Sequence, residues 1–160
     1  MPDVLTPEQR HRVMSSIRSK DTTPELAVRR ILHALGFRFR LHDRRLPGKP
    51  DLVLKRHGTV VFVHGCFWHR HSGCRHATVP ATNPEFWSEK FRRNVLRDQR
   101  NQAELRRLGW RVVVIWECAV RKHPDTVAWQ LLRILRDPEI GWEDVLETAE
   151  SEAFYESGTP

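Results

Sequence analysis

Three cysteines and a histidine are spaced so that they could share one ion. Cys66, His71 and Cys74 fall within nine residues, and Cys118 follows a strongly apolar run. Thiolate and imidazole are ligands that zinc prefers, and a Cys3His set is closed, leaving no coordination position for a substrate. The Cys-x4-His-x2-Cys spacing lets a loop wrap one side of the ion. Cys118 can complete the tetrahedron if the strand before it lies beside the strand before Cys66. The plain alternative is three buried free thiols, since three cysteines cannot all pair within one chain. His69 and His76 could each replace His71 as the fourth ligand.

A second group has the residue types of phosphodiester chemistry. Asp51 follows Pro50 at the start of one apolar run, and the next run ends in His64. A carboxylate there could hold Mg²⁺ against a phosphate, and an imidazole could activate water. An Asp after Pro is also an ordinary turn or strand cap, and His64 could be a satisfied core histidine. Spacing alone leaves both readings open.

The elements that must position these residues follow from caps and periodicity. Thr6-Pro7-Glu8 opens a first helix, with Val13, Met14 and Ile17 at helical spacing, so residues 1–20 read as an N-terminal helical arm. Thr22-Thr23-Pro24-Glu25 is a second start signal, a cap with Pro in the first turn and Glu placed for a capping box. Leu26, Ile31, Leu32 and Leu35 form its apolar stripe, which Gly36 ends. The period then changes to two: Phe37, Phe39 and Leu41 alternate with Arg38, Arg40 and His42, as in a half-exposed strand. Leu46 to Pro50 reads as a turn, and residues 51–54 and 60–63 as neighbouring strands joined near Gly58.

Residues 65–83 form a long Cys/His-rich loop. Asn83-Pro84-Glu85 starts a helix running to Gly109, with Phe86, Val95, Leu105 and Leu108 as inward positions. Trp110 to Trp116 is the strongest strand signal, and residues 124–136 read as a closing helix. Trp110, Trp116, Trp129 and Trp142 read as core or edge packing. This order predicts an α/β sandwich around a mixed sheet, a single domain over residues 1–138. Residues 139–160 are an acidic C-terminal tail whose order the sequence leaves open.

Composition bounds the function. The 160 residues are 39% apolar and 29% charged, which excludes a disordered tail, and the longest apolar runs, Val60 to Val63 and Val112 to Trp116, are far too short to cross a membrane. The N-terminus lacks a basic stretch followed by an apolar segment, so a secretory signal is not expected and a cytoplasmic protein is. Residues 1–123 carry 25 Lys and Arg against 11 Asp and Glu, a balance of +14, whereas residues 124–160 carry 2 against 9, a balance of −7. The basic body suits a polyanion, with nucleic acid first in line. The acidic tail suits a solvated flank, a screen for the basic face or a partner site, and the sequence does not choose.

Four strings then carry a resemblance. Leu46-Pro47-Gly48-Lys49-Pro50-Asp51, His64-Gly65-Cys66-Phe67-Trp68-His69-Arg70-His71, Val79-Pro80-Ala81-Thr82 and Gly109-Trp110-Arg111-Val112 to Trp116-Glu117-Cys118 occur in order. Over about residues 5 to 122 the chain closely resembles the bacterial very-short-patch mismatch repair (Vsr-type) endonucleases. Such enzymes are relatives of the restriction endonucleases, so the resemblance implies a restriction-endonuclease-like mixed sheet flanked by helices, with a zinc-stapled loop.

The resemblance also implies an activity: Mg²⁺-dependent nicking of double-stranded DNA 5′ to the T of a T:G mismatch, the lesion left by deamination of 5-methylcytosine. Carried over by position, Asp51 would be the main magnesium ligand, helped by the backbone carbonyl of Val63. His69 would be the general base, His64 would lie beside the scissile phosphate, and Glu25 and Asp98 would hold metal-bound waters or orient a histidine. Phe67, Trp68 and Trp87 would wedge into the stack beside the mismatch, where a mispair costs less to open than a Watson–Crick pair. Met14 and Ile17 would clamp the minor groove. Lys90, Arg92 and Arg93, with Arg44, Arg45 and Lys49, are candidates for phosphate contacts.

Glu25 fits a capping box as well, and Asp98 lies among Arg97 and Arg100, where a surface ion pair is the ordinary arrangement. Three departures stand out: Val63 replaces a threonine, the loop between His71 and Cys74 is one residue longer, with Gly73 placed to absorb it, and Arg70 replaces a histidine and adds a phosphate-contact candidate. A monomer suits a one-strand nick, and a MutL-type repair protein is a candidate partner. Two rival functions share many of these features: a non-catalytic, zinc-stabilised DNA-binding module, and a restriction-type enzyme cutting both strands.

Overall fold

Continuous apolar runs along two neighbouring segments build the centre of the molecule. A computed structural model describes residues 6–16 and 19–141. Ile17, Trp142 and nearly all of the acidic tail lie outside the described residues. Strand β2 (Leu52–Leu54) pairs antiparallel with β3 (Thr59–His64), the two joined by a 3-10 turn (Lys55–His57) that Gly58 closes at φ +56°. A left-handed residue is needed to end so tight a turn, and glycine takes it without a Cβ penalty. Strand β4 (Arg111–Trp116) lies parallel to β3, in a register that sets His64 opposite Trp116. The two-residue β1 (Arg40–Leu41) adds antiparallel to β2, giving the order β1-β2-β3-β4.

Each face of the sheet is covered by helices. Val61 and Val63 of β3, with Val113 and Ile115 of β4, meet Val28 and Leu32 of α2 (Thr23–Ala34) and Val127, Leu131 and Ile134 of α5 (Pro124–Arg136). The alternate residues, Val60, Phe62 and Val112, meet Leu105 of α3 (Pro84–Arg107) on the other face. These strands read as near-continuous apolar runs because both faces are buried. Helix α3 is the crossover that a parallel β3–β4 pair requires. Helix α1 (Pro7–Ser16) precedes this sandwich, with Val13 exposed and Met14 half-buried.

The expected mixed α/β sandwich is present, with local differences. Phe37 and Phe39 do pack against the core, but Leu41 is 43% exposed, because the chain pairs over only two residues before turning at His42. Leu26 faces out of α2. In α3 the inward residues are Trp87, Phe91 and Leu105, whereas Phe86 and Leu108 are exposed. The first half of that helix packs on the Cys/His loop rather than on the sheet, which shifts its buried stripe by one residue. Trp129 is 41% exposed on α5, with the Arg133 guanidinium 4.8 Å over its ring. A short helix, α4 (Glu117–Lys122), follows β4 directly and was not expected.

Candidate active site and metal centre

The C-terminal ends of β3 and β4 bring the two chemical groups together. Because β3 and β4 are parallel neighbours, Cys66, just past β3, and Cys118, in the first turn of α4, leave the sheet side by side. The Sγ atoms of Cys66, Cys74 and Cys118 and the Nδ1 of His71 all lie within 4.8 Å of one another. Nδ1 of His71 is 3.6 Å from Cys66 Sγ and 3.3 Å from Cys118 Sγ. Bond lengths of 2.0–2.3 Å set the edge of a zinc tetrahedron at roughly 3.5 Å, so the donor set fits that ion. His71 is thus the fourth member, and neither His69 nor His76 is part of the cluster.

Turn hydrogen bonds step from ligand to ligand: His71 N–H donates to the Cys66 carbonyl, Cys74 N–H to that of His71, and Ala77 N–H to that of Cys74. Gly73 takes φ +69° with open space around it, a conformation suited to glycine. Burial, with the neighbouring Cys118 and Cys74 thiols, pushes the Cys66 thiol up to about 12, whereas backbone donation from His76 lowers Cys74. A cation entering this site must therefore displace protons.

The acid–base group lies in a cleft of about 1590 Å³, lined among others by Met14, Glu25, His42, Asp51, His64, Trp68, His69 and Asp98. Asp51 precedes β2 and reaches across to β3, where its Oδ2 accepts a 2.7 Å hydrogen bond from the Val63 N–H. Burial raises its carboxyl to about 6 against that donor, and the negative charge of Glu25 adds to the rise. The Nδ1 of His69 is 2.6 Å from Oδ2 of Asp98 on α3, which leaves the His69 Nε2 for other work. Asp98 thus pairs with a histidine rather than with Arg97, which donates instead to Asn94. His64, the last residue of β3, stacks on His69 at 3.8 Å and 8°, and burial lowers it to about 3, so its ring is neutral at physiological pH. Trp116 joins the two centres, stacked on His71 and edge-on to His64.

Glu25 is 3% exposed at the N-terminus of α2. Thr22 Oγ1 caps its N–H at 3.4 Å, but the Glu25 carboxylate accepts from the N–H of Asp21, one residue before the cap. The capping box is thus shifted, and the same carboxylate meets Arg29 at 3.4 Å.

The aromatic candidates form one cluster. Phe67 and Trp68 are half-buried and edge-on to each other, and Trp87 and Phe91 pack behind them. Trp87 itself is 8% exposed. Lys90 lies over the rings of Trp68 and Trp87, and Arg92 and Arg93 both pair with Glu89 on the surface of α3. Arg70 does not fit the expected phosphate contact. It donates to the carbonyls of Phe67, Ala77 and Thr78 and stacks 4.0 Å over Phe91, which commits its guanidinium to closing the loop. Sequence reasoning missed Asn94, whose side-chain amide donates to the Trp68 carbonyl, and the Arg29–His42 pair beside Asp51. No periodicity marks such polar residues, because their partners lie on other elements.

Residues 2–75 match the family model described as DNA mismatch endonuclease Vsr. The "Type II nicking enzyme V.XorIIP" of Xanthomonas oryzae pv. oryzae is 52% identical over 118 residues, covering 74% of this chain and 86% of that protein. The chain belongs to the Vsr family. The Escherichia coli "DNA mismatch endonuclease Vsr" is 46% identical over 121 residues, 76% of this chain and 77% of that protein. A "Type II nicking enzyme V.NmeAIP" from Neisseria meningitidis is 47% identical over 76% of this chain and 86% of its own length. Among solved structures, the catalytic domain of homing endonuclease I-Bth0305I aligns with a TM-score of 0.50 and 23% identity, covering 72% of this chain and 94% of that one, a likeness of fold. This Vsr-family chain is a DNA endonuclease of the nicking class. No helix among its described residues is long and apolar enough to cross a membrane.

Proposed function

We propose that this Vsr-family protein nicks duplex DNA 5′ to the T of a T:G mismatch by Mg²⁺-dependent hydrolysis. The observation that carries the reading is the His69–Asp98 pair in one cleft with the buried Asp51 carboxylate, beside the Phe67-Trp68 pair. Asp51 keeps Oδ1 clear of the Val63 hydrogen bond, and a hard, buried oxygen donor of this kind suits magnesium. In an extended strand one residue's N–H and C=O point to the same side, so the Val63 carbonyl is on the side of Asp51 as well. A bound Mg²⁺ would supply charge for the phosphate oxygens and an acidified water.

The remaining work belongs to the side chains. Asp98 fixes the ring of His69 with Nδ1 toward the carboxylate, so Nε2 takes the proton of the attacking water. His64, neutral and flat against His69, lies beside the scissile phosphate and restricts the base to one plane. Glu25 orients water near Asp51. Phe67 and Trp68 enter the stack at the mispair, while Trp87 and Phe91 brace them from behind. Cys66, His71, Cys74 and Cys118 hold a structural Zn²⁺ that fixes the loop carrying both the wedge and the base.

Met14 lines the cleft from α1 and suits a groove contact, and Arg92, Arg93 and Lys90 flank the wedge as cations for the backbone. The enzyme acts as a monomer in the bacterial cytoplasm, with a MutL-type protein as its candidate partner. The test is a panel of end-labelled duplexes that differ in one pair, T:G, C:G or T:A, with the cut mapped on both strands. One nick 5′ to the mismatched T, and none in the paired duplexes, is expected. Equal cutting of both strands of the C:G duplex would overturn the reading.

A further inference from the structure

Two members of the polar network around Asp51 and Glu25, His42 and Arg29, have no part in the mechanism above. His42 follows β1 and adopts φ +45°, a left-handed conformation that a histidine takes only at a cost. Its own N–H donates to the Asp51 carbonyl at 3.2 Å, which fixes it as the neighbour of Asp51 across the β1–β2 pairing. Its Nε2 lies 3.1 Å from the guanidinium NH2 of Arg29, and its Nδ1 lies 3.8 Å from Oδ1 of Asp51.

The hydrogen-bond roles follow from the donor inventory. A guanidinium only donates, so Nε2 of His42 is the acceptor, and the ring hydrogen is assigned to Nδ1. That N–H faces the Asp51 oxygen that Val63 leaves free. At 3.8 Å the contact is longer than a hydrogen bond, and a small rotation of ring or carboxylate closes it. Arg29 is held in turn by Asp21 at 2.7 Å and Glu25 at 3.4 Å, and the His42 Nε2 lies 3.6 Å and 3.7 Å from the same two carboxylates. The Arg29 guanidinium thus sits among Asp21, Glu25 and His42, a trio of metal-ligating types, and fills with a fixed cation what would otherwise be a second cation site.

We infer that His42, with its tautomer set by Arg29, is a positioning residue that aims the Asp51 carboxylate for the catalytic cation. This rests on Asp51 being the magnesium ligand proposed above. Partners that orient a ligand in this way change metal affinity or activity by about 10- to 100-fold when removed.

The test follows nicking of a T:G duplex across a Mg²⁺ titration with His42→Ala, His42→Asn and Asp51→Ala, and melting temperatures taken in parallel. His42→Ala is expected to raise the half-saturating Mg²⁺ concentration by about 10-fold or more. His42→Asn, whose amide nitrogen falls where Nδ1 stands, is expected to recover most of that shift. An unchanged Mg²⁺ curve for His42→Ala overturns the inference, as does an Asn variant no better than Ala at equal melting temperature. Nicking by Asp51→Ala at the wild-type rate would instead overturn the reading of Asp51 itself, so the two failures are distinguishable.

Discussion

Asp51 carries a conflict between folding and chemistry. Its carboxyl is raised from 3.8 to about 6 chiefly by burial, so the folded protein favours the protonated form. The stabilising influence of that proton is present below the unfolded value and is lost as pH rises through about 6. A shift of this size corresponds to roughly 3 kcal/mol at most against the ionised side chain at pH 8. Asp51→Asn keeps an acceptor for the Val63 N–H without the charge. In urea melts without added Mg²⁺ it is expected to exceed wild type by about 1–3 kcal/mol at pH 8, with the difference gone near pH 4. No gain at pH 8 would show that water reaches the carboxylate. Asp98→Asn should leave the fold intact but unfix the His69 ring, with single-turnover nicking slowed by about 100-fold or more. Asp51 and His69 were legible as candidates because they stand in specific strings, whereas an ion pair and a histidine partner for Asp98 were equally compatible with its neighbours Arg97 and Arg100. That choice is made in three dimensions, by α3 crossing the loop after β3.

At the scale of elements, the strands and long helices were readable because caps and apolar periods mark them. Asn83-Pro84 starts α3, and β3 and β4 are continuous apolar runs. The short α4 was not, since fewer than two turns leave no period to detect, and of the period-two stretch from Phe37 only Arg40 and Leu41 pair, as β1. In the proposed reading the Cys/His loop depends on a zinc held by its four ligands as well as on the packing of Phe67 and Trp68 against Trp87 and Phe91. Cys118→Ser is expected to abolish stoichiometric zinc, lower stability by on the order of several kcal/mol and open residues 65–83 to limited proteolysis. Wild-type protease resistance in that variant would show that the aromatic packing alone holds the loop. The turn before Asp51 is equally constrained: Gly48 has φ +72°, and a Cβ there would lie 3.0 Å from Cβ of Asn101 on α3. Gly48→Ala is expected to cost about 1–2 kcal/mol and to slow nicking more than it weakens DNA binding, as read from melts and binding isotherms on one duplex.

Across the whole molecule, charge separates a basic body from an acidic end. The +14 balance of residues 1–123 predicts that duplex binding falls steeply with salt, by on the order of 10³-fold between about 50 and about 200 mM, whether or not a mismatch is present. The proposed preference for T:G over C:G duplex should change little over that range, because in that reading it rests on the aromatic pair rather than on phosphates. The overall α/β architecture was legible from element order, and the Cys/His cluster from residue types and spacing. The contacts that tie the two centres together, Trp116 between His71 and His64 above all, were not, because the parallel register of β3 and β4 creates them. The most direct test of the central claim is single-turnover nicking of a T:G duplex by wild-type and Asp51→Ala protein, with and without Mg²⁺. A Mg²⁺-dependent nick that the variant fails to make at any Mg²⁺ concentration, while binding the duplex normally, is the expected result. Nicking by Asp51→Ala at the wild-type rate, or by wild type with Mg²⁺ omitted, would contradict it.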